Sequence, residues 1–278
     1  MKIIQLNAWN FAFLDKMIEF LKAQSPDIIN LQEVGTAGFR KQKEFSVDPF
    51  EILKKELKMD GHFAPTSGVR DENGLESFFG NGFLTKLEIL DYGSFTDRFL
   101  PDFVWYSEKT SPISAKDHTV KQTYQEKKAT YEAAYELPAN FVWGILKYKN
   151  NIIRNITSHF SVSFKCTETL QMVRQSRQVV DFLKKGKEIP TIFSGDLNIT
   201  KDSVSIKSLE SIMKNVSGEF TNTLDPSVHM LFQYQNEGLA VDHIFQKGFE
   251  VISCTCPEVG ISDHLPLVAE LSITNEKL

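Results

Sequence analysis

The chain has 278 residues, with 31 basic and 36 acidic side chains and a net charge of −5 at pH 7. This charge balance argues against a protein that binds long nucleic acid mainly through the phosphates. A local basic patch on the surface would still be compatible with the negative net charge. A hydrophobic share of 41% with modest glycine and proline excludes a disordered chain and predicts one soluble globular core. Because no apolar run reaches membrane-span length and no signal-like leader precedes the first strand, we expect a cytoplasmic protein with no transmembrane segment. We also expect a monomer.

Strand and helix patterns alternate in the first part of the chain. The first core strand is expected to start at once and to end near Asn7. Apolar residues at i, i+3, i+4 and i+7 then predict an amphipathic helix over 11–24. Residues 27–31 read as a second strand that delivers Glu33 at its end, and residues 48–58 read as another helix.

The remaining pattern is dominated by strands. Further strands are predicted at 78–84, 141–148, 152–158, 189–194, 241–246, 250–254 and 265–273. Asn150 and Asn151 mark a tight turn between two of these strands. An apolar stripe of helical period predicts a helix over 167–185 that packs against a sheet. Many strands with a few long helices imply two stacked sheets flanked by helices.

Polar clusters follow or interrupt these apolar runs. A charged group is costly to bury inside a strand, whereas strand ends are where a rigid scaffold presents catalytic side chains. The clusters are Leu6-Asn7, Gln32-Glu33, Ser158-His159, Gly195-Asp196-Leu197-Asn198, Val241-Asp242-His243 and Ser262-Asp263-His264.

The order and content of these clusters, together with the segment Gly80-Asn81-Gly82-Phe83-Leu84-Thr85-Lys86, resemble the endonuclease/exonuclease/phosphatase superfamily, which has the deoxyribonuclease I-like fold. The resemblance extends from Asn7 to His264. It implies a single domain over 1–278 and an α/β fold, a four-layered α/β sandwich with two stacked mixed β-sheets flanked by helices. It also implies a divalent-metal-dependent phosphoesterase, in which metal, aspartate and histidine assist the attack of water on a phosphodiester or phosphomonoester.

The resemblance assigns the metal to carboxylates. Glu33 is expected to ligate Mg²⁺ or Mn²⁺ directly, because these hard ions favour one or two carboxylates and keep several waters. Asp263 is expected to be a second metal-side carboxylate or a support for the site, and Asn7 to lie beside the metal and the phosphate. The alternative for Glu33 is a helix cap or a surface ion pair.

Proton transfer is assigned to a histidine and two aspartates. His264 is the expected general base, and Asp242 is expected to orient its ring and raise its basicity. Asp196 is the alternative group for positioning or activating the water, and the sequence leaves the choice between Asp196 and His264 open.

The phosphate is expected to meet amide and imidazole groups. Asn7 and Asn198 would hydrogen-bond the phosphate or the water without adding negative charge. His159 would stabilise the pentacoordinate oxyanion or protonate the leaving group. The deoxyribonuclease I, sphingomyelinase, deadenylase and inositol-phosphatase branches hold a histidine at this position, whereas abasic-site endonucleases usually hold a tyrosine. A buried structural histidine is the alternative.

The substrate stays open between nucleic acid, a lipid headgroup and a small phosphodiester, with an inactive scaffold that binds phosphorylated partners as the alternative function. Aromatic residues and lysines interleave over 96–139, which indicates either a stacking platform for a ligand or a surface loop followed by a helix. We expect the cysteines to be reduced structural thiols. His62, His118 and His229 match no motif and are interpreted as ordinary loop residues.

Overall fold

The computed structural model describes residues 1–36, 48–70, 74, 76–98, 100–107, 139–229 and 238–274. The helices are α1 (Leu14–Gln24), α2 (Pro49–Leu57), α3 (Leu170–Lys185) and α4 (Val204–Glu210). The strands are β1 (Lys2–Asn7), β2 (Ile28–Gly35), β3 (Asp60–Arg70), β4 (Glu76–Thr85), β5 (Glu88–Thr96), β6 (Val104–Ser107), β7 (Asn140–Tyr148), β8 (Asn151–His159), β9 (Thr191–Asp196), β10 (Lys214–Asn215), β11 (Asp242–Lys247), β12 (Phe249–Thr255) and β13 (Leu267–Ile273).

The strands form two sheets. The first has the order β12-β13-β1-β2-β4-β3-β6, and the second has the order β10-β11-β9-β8-β7-β5. The pairs β1 with β2, β3 with β6 and β8 with β9 are parallel, and the other pairs are antiparallel. Both sheets are therefore mixed, as the sequence predicted.

Three of the clusters of buried apolar residues in the described part of the chain define the layers. Helices α1 and α2 cover the outer face of the first sheet, for example through Met17 and Leu53. Helices α3 and α4 cover the outer face of the second sheet, for example through Met172 and Leu209. The third cluster lies between the sheets. This arrangement confirms the four-layered sandwich.

Alternation along β1 sends every second side chain between the sheets. Ile4 and Leu6 belong to the cluster under α1 and α2, whereas Ile3 belongs to the cluster between the sheets. Because side chains alternate with a period of two along a strand, Gln5 and Asn7 point the same way as Ile3. The inner face of β1 thus changes from apolar to polar toward its carboxyl end.

Local signals explain where two helices begin and end. The side chain of Asp48 accepts a hydrogen bond of 2.8 Å from the backbone N–H of Phe50, and Pro49 occupies the first turn of α2. Ser25 ends α1 in a left-handed conformation, with φ 49°. The predicted helix over 11–24 starts late, because Trp9, Asn10 and Phe11 have φ of 45°, 50° and 59°.

Several predicted boundaries were wrong. Strand β2 continues past residue 31 to Gly35, so that Glu33 lies within the strand at a break in register between Leu31 and Val34. Strands β3, β5, β6 and β10 and helix α4 were not predicted. In the segment 96–139, residues 104–107 form β6, whereas residues 108–138, including His118, lie outside the described part of the chain. None of the described helices is long and apolar enough to cross a membrane.

Candidate active site

A buried network of polar side chains lies between the sheets, next to the apolar cluster described above. Asn30 and Asn155 exchange two hydrogen bonds of 3.0 and 2.7 Å, and Asn30 also donates to Ser194 Oγ at 2.7 Å. Ser194 Oγ in turn donates to Gln5 Oε1 at 3.1 Å, and Gln5 and Gln32 bond to each other. The network fixes the distance and register of the two sheets where the catalytic candidates begin.

Asp196 lies at the centre of the next set of side chains. It is the last residue of β9 and is 1% exposed. Its Oδ2 atom is 3.1 Å from Asn7 Nδ2, 3.4 Å from His159 Nε2 and 3.6 Å from His264 Nε2. Strands β8 and β9 pair in parallel, which places His159 opposite Asp196. One carboxylate oxygen therefore brings together groups from β1, β8 and the loop before β13.

The His264 ring is held on its other side by Asp242. Its Nδ1 atom is 2.8 Å from Asp242 Oδ2, and that oxygen also accepts a hydrogen bond of 2.7 Å from Thr223 Oγ1. Gln5 Nε2 approaches Asp242 Oδ1 at 3.4 Å. All these groups are buried. The contacts orient the ring so that Nε2 faces Asp196.

The pKa values of His264 and Asp196 are shifted in opposite directions by their surroundings. Burial alone would lower the pKa of His264, but the carboxylates of Asp242 and Asp196 raise it well above its usual value. Burial opposes ionisation of Asp196, yet His264, His159 and hydrogen bonds from Asn7 and Asn198 lower its pKa overall. Asp196 is thus held as a carboxylate, and the two neighbouring carboxylates favour the imidazolium form of His264.

Asn7 connects Asp196 to Glu33. Its Nδ2 atom donates to Glu33 Oε1 at 3.2 Å, and its Oδ1 atom accepts from the backbone N–H of Trp9 at 3.0 Å. Glu33 is half-buried and has φ 50°, a conformation that few residues other than glycine adopt and that clusters at functional sites. The amide of Asn7 therefore turns its N–H groups toward the carboxylates.

Asn198 follows Asp196 in the same turn. Its backbone N–H donates to Asp196 Oδ1 at 3.0 Å, and its side chain donates to the carbonyl of Phe160 at 3.2 Å. Its φ of 55° is again left-handed. Asn198 therefore contacts the site through its backbone bond to Asp196.

Asp263 and His229 border the site on the side of His264. The rings of His229 and His264 are 5.2 Å apart, with an interplanar angle of 85°. One ligand atom from each of His229, Asp263 and His264 lies within 4.8 Å of the others. The prediction that His229 is an ordinary loop residue was wrong, because its loop folds back onto the site: the Asp225 N–H donates to the Asp263 carbonyl at 2.9 Å, and the His229 N–H donates to the Asp225 carbonyl at 2.8 Å.

The predicted metal ligands are oxygen donors that are connected through Asn7: its amide bonds to Glu33, and its backbone carbonyl bonds to Ser262, the neighbour of Asp263. Glu33 offers a half-buried carboxylate, and Asp263 offers another beside Ser262, whose hydroxyl bonds to the Asn7 carbonyl at 2.7 Å. Carboxylate and amide oxygens suit Mg²⁺ or Mn²⁺. The donor set therefore fits a hard divalent cation, although Asn7 would have to share its Oδ1 atom between Trp9 and the ion.

Other expectations had mixed outcomes. Cys254 and Cys256 are free thiols that pack against the cluster between the sheets, and burial raises their pKa to about 11 and about 12. His62 lies within β3 rather than in a loop, with its ring 4.6 Å from that of Tyr92. Sequence analysis missed Thr223, since a threonine in a loop carries no motif.

A model of the Endonuclease/Exonuclease/phosphatase family matches residues 4–264. The chain belongs to this family. The match spans every strand that contributes to the site, from Asn7 on β1 to His264.

Several solved structures share the fold of this chain at low sequence identity, among them an endonuclease/exonuclease/phosphatase. One from Bacteroides vulgatus is 17% identical with a TM-score of 0.67, covering 98% of each chain. The mannosyl-6-phosphatase of Bacteroides thetaiotaomicron is 15% identical with a TM-score of 0.60, covering 98% of this chain and 100% of its own. TDP2 of D. rerio, in complex with a single-stranded DNA product, is 14% identical with a TM-score of 0.64, covering 98% of each chain.

Proposed function

We propose that the protein is a divalent-metal-dependent phosphoesterase that hydrolyses phosphodiester or phosphomonoester bonds. The observation that supports this most is the convergence of His159 Nε2 and His264 Nε2 on one oxygen of Asp196, at 3.4 and 3.6 Å. Two imidazoles around a carboxylate supply both a proton acceptor and a cationic group for a phosphoryl transition state. An inactive scaffold would be signalled by loss of Glu33, Asp196 or His264, and this chain retains all three.

His264 is the proposed general base. The Asp242 carboxylate at 2.8 Å stabilises the imidazolium that forms when the ring accepts a proton from water. Asp196 has a lowered pKa and remains ionised, so that it is a poor proton acceptor and a good hydrogen-bond acceptor. We assign Asp196 to orienting the water, and His264, in the form in which Nε2 carries no proton, to taking the water's proton.

His159 and the two asparagines are proposed to contact the phosphate. In its protonated form, His159 would stabilise the oxyanion or donate a proton to the leaving oxygen. Asn7 and Asn198 have amide groups close to Asp196 and add no negative charge. We therefore propose that these three residues bind the phosphate.

Glu33, Asp263 and Asn7 are the proposed residues for Mg²⁺ or Mn²⁺. A cation bound there would neutralise charge on the phosphoryl oxygens and acidify a coordinated water. Because the site draws on β1, β2, β8, β9, β11 and the loop before β13, we propose that 1–278 works as one domain. We further propose a monomer in the cytoplasm.

We propose a substrate that engages only a few phosphates, such as a small phosphodiester, a headgroup or a short single-stranded end. The net charge of −5 and the several carboxylates around the site support this choice. The Bacteroides thetaiotaomicron relative is a mannosyl-6-phosphatase and the D. rerio relative holds a single-stranded DNA product, so the same fold accommodates both chemistries.

The test is turnover of a substrate panel with Mg²⁺. The panel contains bis-p-nitrophenyl phosphate, a hexose 6-phosphate, inositol phosphates, sphingomyelin, RNA and short single-stranded DNA. We expect hydrolysis of at least one member by the wild type, and a loss of about 10²-fold or more in His264→Gln. His62→Gln is the matched control, because His62 lies on β3 opposite Phe83, away from Asp196. Equal rates for wild type and His264→Gln on every substrate would contradict the proposal.

A further inference from the structure

His229, Asp263 and His264 form a group of two imidazoles and a carboxylate that the proposed hydrolysis does not require as a unit. One ligand atom from each residue lies within 4.8 Å of the other two. His229 enters the group through its loop, and its ring meets that of His264 edge to face at 5.2 Å. Mg²⁺ prefers oxygen ligands, whereas imidazole nitrogens favour Zn²⁺ and other later transition metals.

We propose that His229, Asp263 and His264 bind a transition-metal ion, Zn²⁺ above all, and that this binding inhibits the enzyme. The inhibitory site shares Asp263 with the proposed Mg²⁺ position and differs from it in having two nitrogen donors. The inference rests on the proposed function only for the inhibition. The zinc site is argued from the proximity of the three side chains alone.

Inhibition follows from the contacts of His264. Its Nδ1 atom bonds to Asp242 at 2.8 Å, and its Nε2 atom lies 3.6 Å from Asp196 Oδ2. A zinc ion on Nε2 occupies the nitrogen that should accept the proton from water. A zinc ion on Nδ1 displaces Asp242 and releases the orientation of the ring. Either mode removes His264 from proton transfer.

The loops that carry the group are tied together, which favours a defined site. Ser262 Oγ lies 3.3 Å from Asp263 Oδ1, and the Leu265 N–H donates to the Thr223 carbonyl at 2.7 Å. The buried carboxylates of Asp196 and Asp242 lie close by and add attraction for a dication. Ligands on ordered backbone lose less freedom when they bind metal.

The experiment is isothermal titration of Zn²⁺ into the full chain with Mg²⁺ present, for wild type, His229→Gln, Asp263→Asn and the control His62→Gln. We expect one Zn²⁺ per wild-type and control chain. Loss of a direct ligand should weaken the affinity at least as much as the roughly 10–100-fold typical of losing an outer-shell partner. Circular dichroism and thermal unfolding report whether each variant folds.

Activity gives a separate measurement. Zinc inhibition of Mg²⁺-dependent turnover, scaled to the zinc-free rate of each variant, should weaken in His229→Gln by the same factor as zinc affinity. Wild-type zinc affinity in folded His229→Gln and Asp263→Asn would overturn the proposal, and would place any bound zinc at the Asp196 and Asp242 carboxylates or at the thiols. A chain that binds zinc as expected but hydrolyses nothing would contradict the phosphoesterase proposal and leave the zinc site standing.

Discussion

Asp242 Oδ2 lies 2.8 Å from His264 Nδ1, although the two residues come from different sheets: Asp242 begins β11, and His264 precedes β13. Thr223 Oγ1 donates to the same oxygen at 2.7 Å and accepts backbone N–H groups of Val241 and Asp242 at 3.1 Å each. The Asp242 carboxylate is therefore also held by contacts that do not involve the histidine. Asp242 and His264 should behave as one catalytic unit.

A double-mutant cycle tests this unit. Asp242→Asn and His264→Ala should each lower kcat strongly, and the double variant should lose little more than His264→Ala alone, because losses within a unit are not additive. Steady-state kinetics on the best substrate of the panel provide the measurement. Losses in log kcat that add fully would show that the two residues act independently.

Removing the charge of Glu33 should weaken the binding of the divalent metal ion. Glu33→Gln keeps the shape of the side chain but removes its anionic charge, so we expect weaker Mg²⁺ binding and turnover lower by orders of magnitude, with the fold intact. Calorimetry measures the affinity. The matched control is Glu56→Gln on α2, whose exposed partner is Lys22 at 2.6 Å. Wild-type affinity and rate in Glu33→Gln would remove Glu33 from its assigned role.

Long duplex DNA should bind weakly at physiological salt. Affinity through Z phosphates falls with salt at a log-log slope of about −0.9Z, and the chain has a net charge of −5. Binding of the His264→Ala variant to a ~20-base-pair duplex, long enough to offer many phosphates, can be followed over a salt titration by fluorescence anisotropy. Tight binding with a steep salt dependence would contradict this prediction and would favour duplex nucleic acid as the substrate.

Acid should destabilise the fold through His243. Its ring is buried, Nε2 bonds to the Ile199 carbonyl at 2.9 Å, and burial lowers its pKa below the ordinary histidine value of about 6.5. Since the unfolded chain then binds a proton that the folded chain does not, this contribution to stability is present above about pH 6.5 and is lost as the pH falls below it.

Urea unfolding at pH 7.5 and 5.5 measures the effect. The loss of unfolding free energy between these pH values should be smaller in His243→Phe than in wild type. His264 has the opposite sign, because its raised pKa adds stability at low pH, but it is present in both proteins and cancels in the comparison. An equal pH dependence in the two proteins would show that His243 does not titrate on unfolding.

The sequence predicted the central strands and most of the site, for a common physical reason. Strands β1, β2, β8 and β9 are buried on both faces, so they read as apolar runs, and their polar ends stand out. Strand β3 contains Gly61, Pro65 and Gly68 among half-exposed residues, a composition more typical of turns. Its place depends on pairing with β4, which no local pattern encodes.

The position of His229 likewise could not be predicted from a local sequence pattern. Asn7, Glu33 and His159 each follow an apolar run, whereas His229 lies in a loop and meets His264 only through the fold of that loop. A residue that joins a site through tertiary contact alone has no signature in one sequence.

The assembly of the site from both sheets also sets the moment at which the protein can act during its synthesis. In the first sheet, β1 lies between β2 and β13. The imidazole that faces the Asp196 carboxylate belongs to His264, which lies 68 positions later in the sequence (264 minus 196). A nascent chain that has not yet exposed residue 264 outside the ribosome lacks the proposed proton acceptor of the site. The proposed hydrolytic activity should therefore appear only after residue 264 has left the ribosome.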